Sequence, residues 1–254
     1  METMMEINEV GDLIRACQEL QFERFRTSTP WFRGNAKGQS WRLVPSVFRL
    51  NNYDESAMAR QFRLRAPSRR EGCPAEEDLP SWLCLMRHYG LPTRLLDWTE
   101  SILIAAFFAV CEDDREVPKE PAAIWALNPF KLNEVLNQTN AILLFSGNGA
   151  RALAKPAFCK GQFVDTCFAI QPAEIDARMM LQQSMFTIHG SPHPLDELPR
   201  SQEFVARLEI PIQCRATVAY QLRMLGVTRS KVFPELDQLA RDLEEGQRKS
   251  MPAL

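Results

Sequence analysis

The apolar positions of this chain change their period several times, and each change marks an element. Val10, Leu13, Ile14, Cys17 and Leu20 share one face at helical spacing, so Ile7 to Leu20 reads as an amphipathic helix. The aromatic run Trp31 to Gly34 suits a strand, and Trp41 to Arg49 a second extended piece broken by Pro45. Asp54 to Arg65 reads as helical, with Met58, Phe62 and Leu64 as apolar contacts, and Leu79 to Met86 as another helix. From Trp98 to Val110 the chain is apolar on most sides, which predicts a helix buried in the middle of the protein. Asp97, with Glu100 three residues on, has the spacing of a capping box at the start of that helix. The run has fewer than about 18 apolar residues, and Glu112, Asp113 and Asp114 follow it, so it is too short to span a membrane.

Beyond a charged turn from Asp113 to Pro121, Ala122 to Asn128 reads as a buried strand stopped by Pro129. Phe130 to Gln138 reads as helical. Thr139 to Lys160 has little pattern, and Gly147, Asn148 and Gly149 suggest a loop. Phe163 to Ile170 and Met185 to His189 read as strands around a helix from Asp176 to Gln183, before a Pro-rich loop from Gly190 to Pro199. Phe204 to Ile210 alternates as a half-buried strand should. Cys214 to Leu225 reads as a helix ended by Gly226. With Thr228 as cap, the last amphipathic helix carries Leu236, Leu239, Ala240 and Leu243. Helices and strands mix without strict βαβα alternation, which predicts an α+β fold. The division is an N-terminal helical appendage over 1–25, a single mixed domain over 26–245 and a frayed C-terminus over 246–254.

Composition narrows the function classes. The 254 residues are 45% hydrophobic and 24% charged with a formal net charge of -2, ordinary values for a globular chain. That balance leaves no electrostatic footprint for nucleic acid or anionic lipid, and does not exclude a local patch such as Arg60, Arg63, Arg65, Arg69 and Arg70. No nucleic-acid motif, Gly-rich phosphate loop or G-x-S-x-G elbow is present. The seven cysteines are scattered and form no C-x-x-C pair, so no metal is expected. The N-terminus M-E-T-M-M-E-I-N-E-V lacks the basic start and apolar core of a signal peptide. A cytoplasmic protein with reduced thiols is the expectation.

The densest chemistry lies in H-Y-G-L-P-T-R-L-L-D-W-T, His88 to Thr99, a polar rigid loop pinned to a core helix. His88 is a candidate general base, or a loop residue bonded to backbone. Thr93 and Arg94 form either a ligand clamp, ribose hydroxyl and phosphate respectively, or an internal network in which Arg94 pairs with Asp97. Arg33 carries a fork suited to phosphate or carboxylate, with Gly34 letting a ligand approach the backbone; its alternative is an ion pair, Asp97 being one partner. Gln183, with its neighbour Gln182, is either a hydrogen-bond partner of a ribose hydroxyl or a helix-surface amide. A nucleophilic Cys84–His88 pair is weaker than a buried inert thiol.

Four stretches together resemble the FRG domain family, named for its aromatic-Arg-Gly motif: W-F-R-G with W-R-L-V-P-S-V-F-R; H-Y-G-L-P-T-R-L-L-D-W-T with its apolar helix; R-M-x-x-Q-Q-x-x-F at Arg178–Phe186; and G-V-T-x-x-x-V-F-P-E-L-D-x-L-A at Gly226–Ala240. The third departs at Ser184, where the family pattern has Gly. Members occur mainly in bacteria and phages. The layout is loosely similar to ADP-ribosyltransferase-like folds, with Arg33, then Tyr89 or Thr99, then Gln183 in the matching order. The resemblance implies NAD as cofactor. Arg33 would hold the pyrophosphate beside Phe32 and Gly34, Tyr89 would stack the nicotinamide, and Gln183 or a nearby acid would orient the ribose. Alternatives are a non-catalytic module gripping a protein target, in phage–host conflict or phage defence, and a hydrolase using His88 with Asp97.

Overall fold

The computed structural model describes residues 5–26, 29–111, 119–145, 147–160, 165–174 and 176–250, the last six of these by backbone alone. Their strands are β1 (Met5–Glu6), β2 (Trp31–Asn35), β3 (Leu95–Thr99), β4 (Ala122–Leu127), β5 (Leu143–Leu144), β6 (Cys167–Gln171), β7 (Ser184–His189) and β8 (Val205–Ile210). They form one eight-stranded sheet in the order β1-β8-β4-β2-β3-β7-β6-β5. Helices and strands mix in a single fold, as the pattern predicts.

The middle of this sheet is its weakest join. β2 pairs with β4 along its whole length, and β3 with β7 likewise. Between β2 and β3 the register holds only Phe32 opposite Thr99. The sheet is therefore two halves that touch at one point and then part.

Side-chain alternation along the strands gives each face its own packing. On the β1–β8–β4–β2 half, Phe32, Ile124, Ala126 and Leu208 meet three helices, α1 (Val10–Gln18), α4 (Ile102–Val110) and α8 (Arg215–Met224). On the other half, Leu95, Ile170, Phe186 and Ile188 meet α2 (Glu55–Arg65), α3 (Leu79–His88) and α6 (Asn148–Ala154). The alternating residues Trp31, Leu96, Trp98, Trp125 and Leu127 share a separate layer with Leu132 of α5 (Pro129–Asn137). The remaining helices are α7 (Ala177–Leu181), α9 (Arg229–Val232) and α10 (Leu236–Ser250).

Several expectations change. Leu95–Thr99 is a strand, because in the sheet's middle both faces of Leu95, Leu96, Trp98 and Thr99 are buried. The buried helix starts only at Ile102, and Ser101 caps it, its Oγ accepting from the Ile104 N–H at 3.4 Å. Asp97 is therefore not a cap. Trp41–Arg49 makes no strand; Pro45 lacks the N–H a ladder needs, and Ser46–Arg49 turns as a short 3-10 helix. The weakly patterned Thr139–Lys160 holds β5 and α6, elements too short to print a period. Ile14, Met58 and Leu64 are exposed rather than core. The N-terminal segment expected as an appendage adds β1 beside β8 and puts Ile7, Leu13, Ala16 and Leu20 in the core. Thr228 makes no side-chain cap bond, and Pro234 separates α9 from α10. α10 continues to Ser250, while 251–254 lie outside the described residues. So do 112–118, in the charged turn, and 161–164, where the strand expected from Phe163 would begin.

Candidate functional site

Where the sheet halves part, a cleft of about 500 Å³ opens. Its walls come from β2 (Phe32, Arg33, Gly34), β3 (Asp97, Trp98, Thr99), the end of α3 (Arg87, His88, Tyr89) and α7 (Arg178, Gln182), with Phe108 and Phe233 alongside. The volume falls in the usual range for small-molecule sites, roughly 300–1,000 Å³.

Local chain geometry sets each wall. Gly34 has no Cβ because α4 needs the room: an added Cβ would lie 1.9 Å from the Ala105 carbonyl oxygen. The glycine read as a place for ligand approach thus first serves helix approach. Gly90, at φ +82°, lets α3 stop, with its N–H on the Arg87 carbonyl and that of Leu91 on the Met86 carbonyl. That stop places His88 and Tyr89 at the cleft edge.

The electrostatics centre on Asp97. Arg87 donates to it from Nε at 3.0 Å and from Nη2 at 2.5 Å. Arg33 bridges the gap between the strands, donating to the Asp97 carbonyl oxygen at 2.8 Å and lying 3.5 Å from Oδ2. Burial works to raise the Asp97 pKa; Arg87, and after it Arg33, outweigh burial and hold it at about 2. The result is an ionised carboxylate, 38% of whose side chain remains open to the cleft. Arg178 packs over the Phe233 ring at 4.7 Å and pairs with Glu235 at 3.5 Å.

His88 Nδ1 lies 3.0 Å from Asp176 Oδ2. Burial depresses its pKa below the ordinary imidazole value, and Asp176 offsets this only in part. Thr99 is buried, its hydroxyl donating to the Gln182 carbonyl at 2.6 Å and accepting from the Ser101 N–H. Tyr89 is 58% exposed and meets His88 edge-on.

Of the residues singled out in the sequence, the cleft therefore unites Phe32, Arg33, Gly34, His88, Tyr89 and Thr99. Three do not join them. Arg94 forks onto Glu55, with Nε at 3.1 Å and Nη2 at 2.6 Å from Oε2. Thr93 is fully buried, and its Oγ1 accepts from the Leu95 N–H. Both are internal: the partner of Arg94 is Glu55 and not Asp97, and Thr93 bonds locally. Gln183 has φ +47° and an exposed side chain; Gln182 lines the cleft instead. The acid beside His88 is Asp176, not Asp97. Cys84 is buried, with its thiol pKa pushed up by burial, which suits the inert reading.

The sequence reading missed Arg87, Asp176, Arg178 and Phe233 as wall or neighbour residues. The signal was present: Arg87 adjoins the His88 loop, while Arg178 and Phe233 sit inside two of the quoted family stretches. Among the described residues, no three or more His, Cys, Asp or Glu side chains are grouped to hold a metal ion. Nor is any described helix long and apolar enough to cross a membrane.

Fold and cleft together define a mixed α/β protein with a ligand-sized opening at the split of its one sheet. Residues 28–117 match the FRG domain family, so the chain contains an FRG domain. The matched segment includes β2, β3 and the helices α2, α3 and α4, three of the cleft's walls among them. No curated protein and no solved structure matches the chain.

Proposed function

We propose that the cleft binds a nucleotide, NAD in the first instance, and that the protein transfers or releases ADP-ribose from it. The observation that carries the reading is the gathering of Arg33, Arg87 and Arg178 with the rings of Phe32, Tyr89, Phe108 and Phe233 around one cleft. Guanidinium forks suit a pyrophosphate and ring faces suit a base. Arg33 would take the pyrophosphate and Tyr89 the nicotinamide. The role first given to Gln183 passes to Asp97, the sole acid among the described residues lining the cleft. Its ionised carboxylate would stabilise the oxocarbenium ion that develops as the glycosidic bond breaks, which a neutral amide would do poorly.

The test is a titration with NAD that follows melting temperature and nicotinamide release together. A ligand at a hundredfold its Kd stabilises the folded state by about 2.7 kcal/mol. An upshift that Arg33→Ala abolishes, in a variant melting near the parent, supports the reading. No upshift at millimolar NAD sinks it.

A second reading, a non-catalytic module docking a protein in phage–host conflict, is favoured by one observation. Leu236, Leu239 and Leu243 form an exposed apolar stripe on α10. That module would bind its target with or without NAD and would release no nicotinamide. In either case the expected setting is the cytoplasm.

A further inference from the structure

We infer that His88 is the general base of the cleft, that Asp176 is the residue positioning it, and that the nucleophile enters through a smaller cavity beside the main one. The inference rests on the nucleotide reading for its substrate and goes beyond it in naming the proton acceptor, its partner and the route of attack.

The geometry starts at Asp176. Its Oδ1 caps α7 by accepting from the Met179 N–H at 2.9 Å, which fixes the carboxylate. Its Oδ2 is buried and has no hydrogen-bond partner of standard geometry among the described residues. His88 Nδ1 stands 3.0 Å away. A buried carboxylate oxygen is costly to leave unbonded, so the inference places the imidazole proton on Nδ1, the ring nitrogen next to that oxygen, with a small ring rotation completing the bond. That tautomer leaves Nε2 bare, with a lone pair to accept a proton.

The surroundings keep the ring neutral. Burial is the largest influence and lowers the His88 pKa; Arg178 on α7 and Arg70 on the loop before α3 push the same way. Asp176 and Glu235 push back. A neutral imidazole near physiological pH is the form a general base requires.

Position supplies the second half. A cavity of about 320 Å³ adjoins the cleft, bounded further out by Glu235 and Asp237. His88, Tyr89, Arg178 and Phe233 line both openings. The imidazole thus stands between the site proposed for NAD and a separate entry from solvent. In the step this allows, the bond between ribose C1′ and the nicotinamide nitrogen breaks, and nicotinamide leaves neutral with the electron pair. The oxygen of a hydroxyl acceptor, or of water where no acceptor is present, bonds to C1′. Its proton moves to His88 Nε2 and from there to solvent, while Asp176 balances the transient imidazolium.

The experiment uses the full chain with His88→Ala and Asp176→Asn. Asn caps a helix as well as Asp, so the second variant keeps α7 intact. NAD binding is followed by calorimetry, nicotinamide release across pH 5 to 9, and the His88 ring proton by NMR titration without NAD. The expected results are NAD affinity within about twofold of the parent for Asp176→Asn, whose side chain is not part of the cleft lining, and release at saturating NAD lowered about 100-fold or more by His88→Ala, partly restored by added imidazole. In Asp176→Asn the His88 titration and the acid limb of the release profile both move to lower pH, because the carboxylate that raised the imidazole pKa is gone. A purely structural Asp176 would change melting temperature but move neither. Parent-like release and pH profile in His88→Ala overturn the inference while leaving NAD binding standing. An unmoved His88 titration in Asp176→Asn overturns the pairing without reference to NAD. Absence of NAD binding in the parent, by contrast, removes the nucleotide reading itself and the proposed reaction with it.

Discussion

Gly34→Ala tests the packing that forms one wall of the cleft. An alanine Cβ there would sit 1.9 Å from the Ala105 carbonyl oxygen, 2.6 Å from the Ala109 nitrogen and 2.9 Å from the Ala105 carbonyl carbon. All three are backbone atoms, so no rotamer change relieves the overlap. α4 must retreat from β2 by more than an ångström to restore ordinary contact. In doing so it loosens the packing of Ile102, Ala105, Ala106 and Ala109 against Phe32 and Ile124. Overpacking typically costs about 1–3 kcal/mol where side chains share the strain. Here the helix backbone takes all of it, which places the cost near 3 kcal/mol or above. For a chain of this size each kcal/mol moves the melting temperature by roughly 2–4 °C. The variant should melt about 10 °C below the parent, or fail to fold. Gly90→Ala separates sterics from backbone strain. Its φ is +82° and nothing lies within 4 Å of its Cβ position, so only the left-handed penalty applies. That penalty is about 1–2 kcal/mol. Differential scanning calorimetry of both variants is the assay. A Gly34→Ala variant melting within about 2 °C of the parent would show that α4 does not depend on this glycine, and the account of the cleft wall would be wrong.

The other predictions concern charge. Asp97→Asn should strengthen binding of phosphate-bearing ligands by removing a competing anion, yet lower nicotinamide release about 100-fold by removing the proposed oxocarbenium partner; calorimetry and release assays read the two halves separately. Its stability cost should stay near 1 kcal/mol, because Asp97 and Arg87 are both partly open to solvent. Glu55→Gln breaks a pair whose side chains are only 9% and 8% exposed, so it should cost about 3 kcal/mol in urea unfolding while leaving NAD affinity unchanged. A shift in affinity would contradict the separation of Arg94 from the cleft. His189 is buried, with burial as the main cause pulling its pKa down to about 3. Its folded pKa lies below the unfolded value near ~6.5. Its contribution is therefore fully present above about pH 6.5 and is lost as pH falls toward 3, at roughly 1 kcal/mol per pH unit. His189→Gln should flatten this dependence, and equal slopes in parent and variant would rule the assignment out.

How far the sequence speaks depends on the length scale of the signal. The buried helix at Ile102–Val110, the strand at Ala122–Leu127 and the alternating strand at Val205–Ile210 print their burial directly, so they are legible. Leu95–Thr99 is not, because a short strand buried on both faces has no period that distinguishes it from the start of the apolar helix after it. Of the cleft lining, His88, Tyr89 and Thr99 are legible as one dense polar stretch and Arg33 through its W-F-R-G run. Their geometry is not, since it depends on pairings distant in sequence. Glu55 takes Arg94 from 39 residues away. Asp176 meets His88 across the whole central sheet region of the chain, and no local pattern announces either partner.

Asp97 shows how one misplaced boundary hides a site. If the apolar helix began at Trp98, the carboxylate would be spent on backbone N–H groups at the helix start. With Ser101 supplying that cap, Leu95–Thr99 is free to be a strand, and Asp97 is free to hold Arg87. The same shift explains the split sheet. Because β3 meets β2 only at Thr99, the Asp97 carbonyl has no strand partner from β2, and the Arg33 guanidinium donates to it instead. The motif arginine is thus both the bridge across the opening and part of its lining. Removing it should affect ligand binding and the spacing of the two halves together. That is why the Arg33→Ala test above is read only alongside the variant's own melting temperature, with the Asp97→Asn variant, which leaves the bridging carbonyl in place, as its partner.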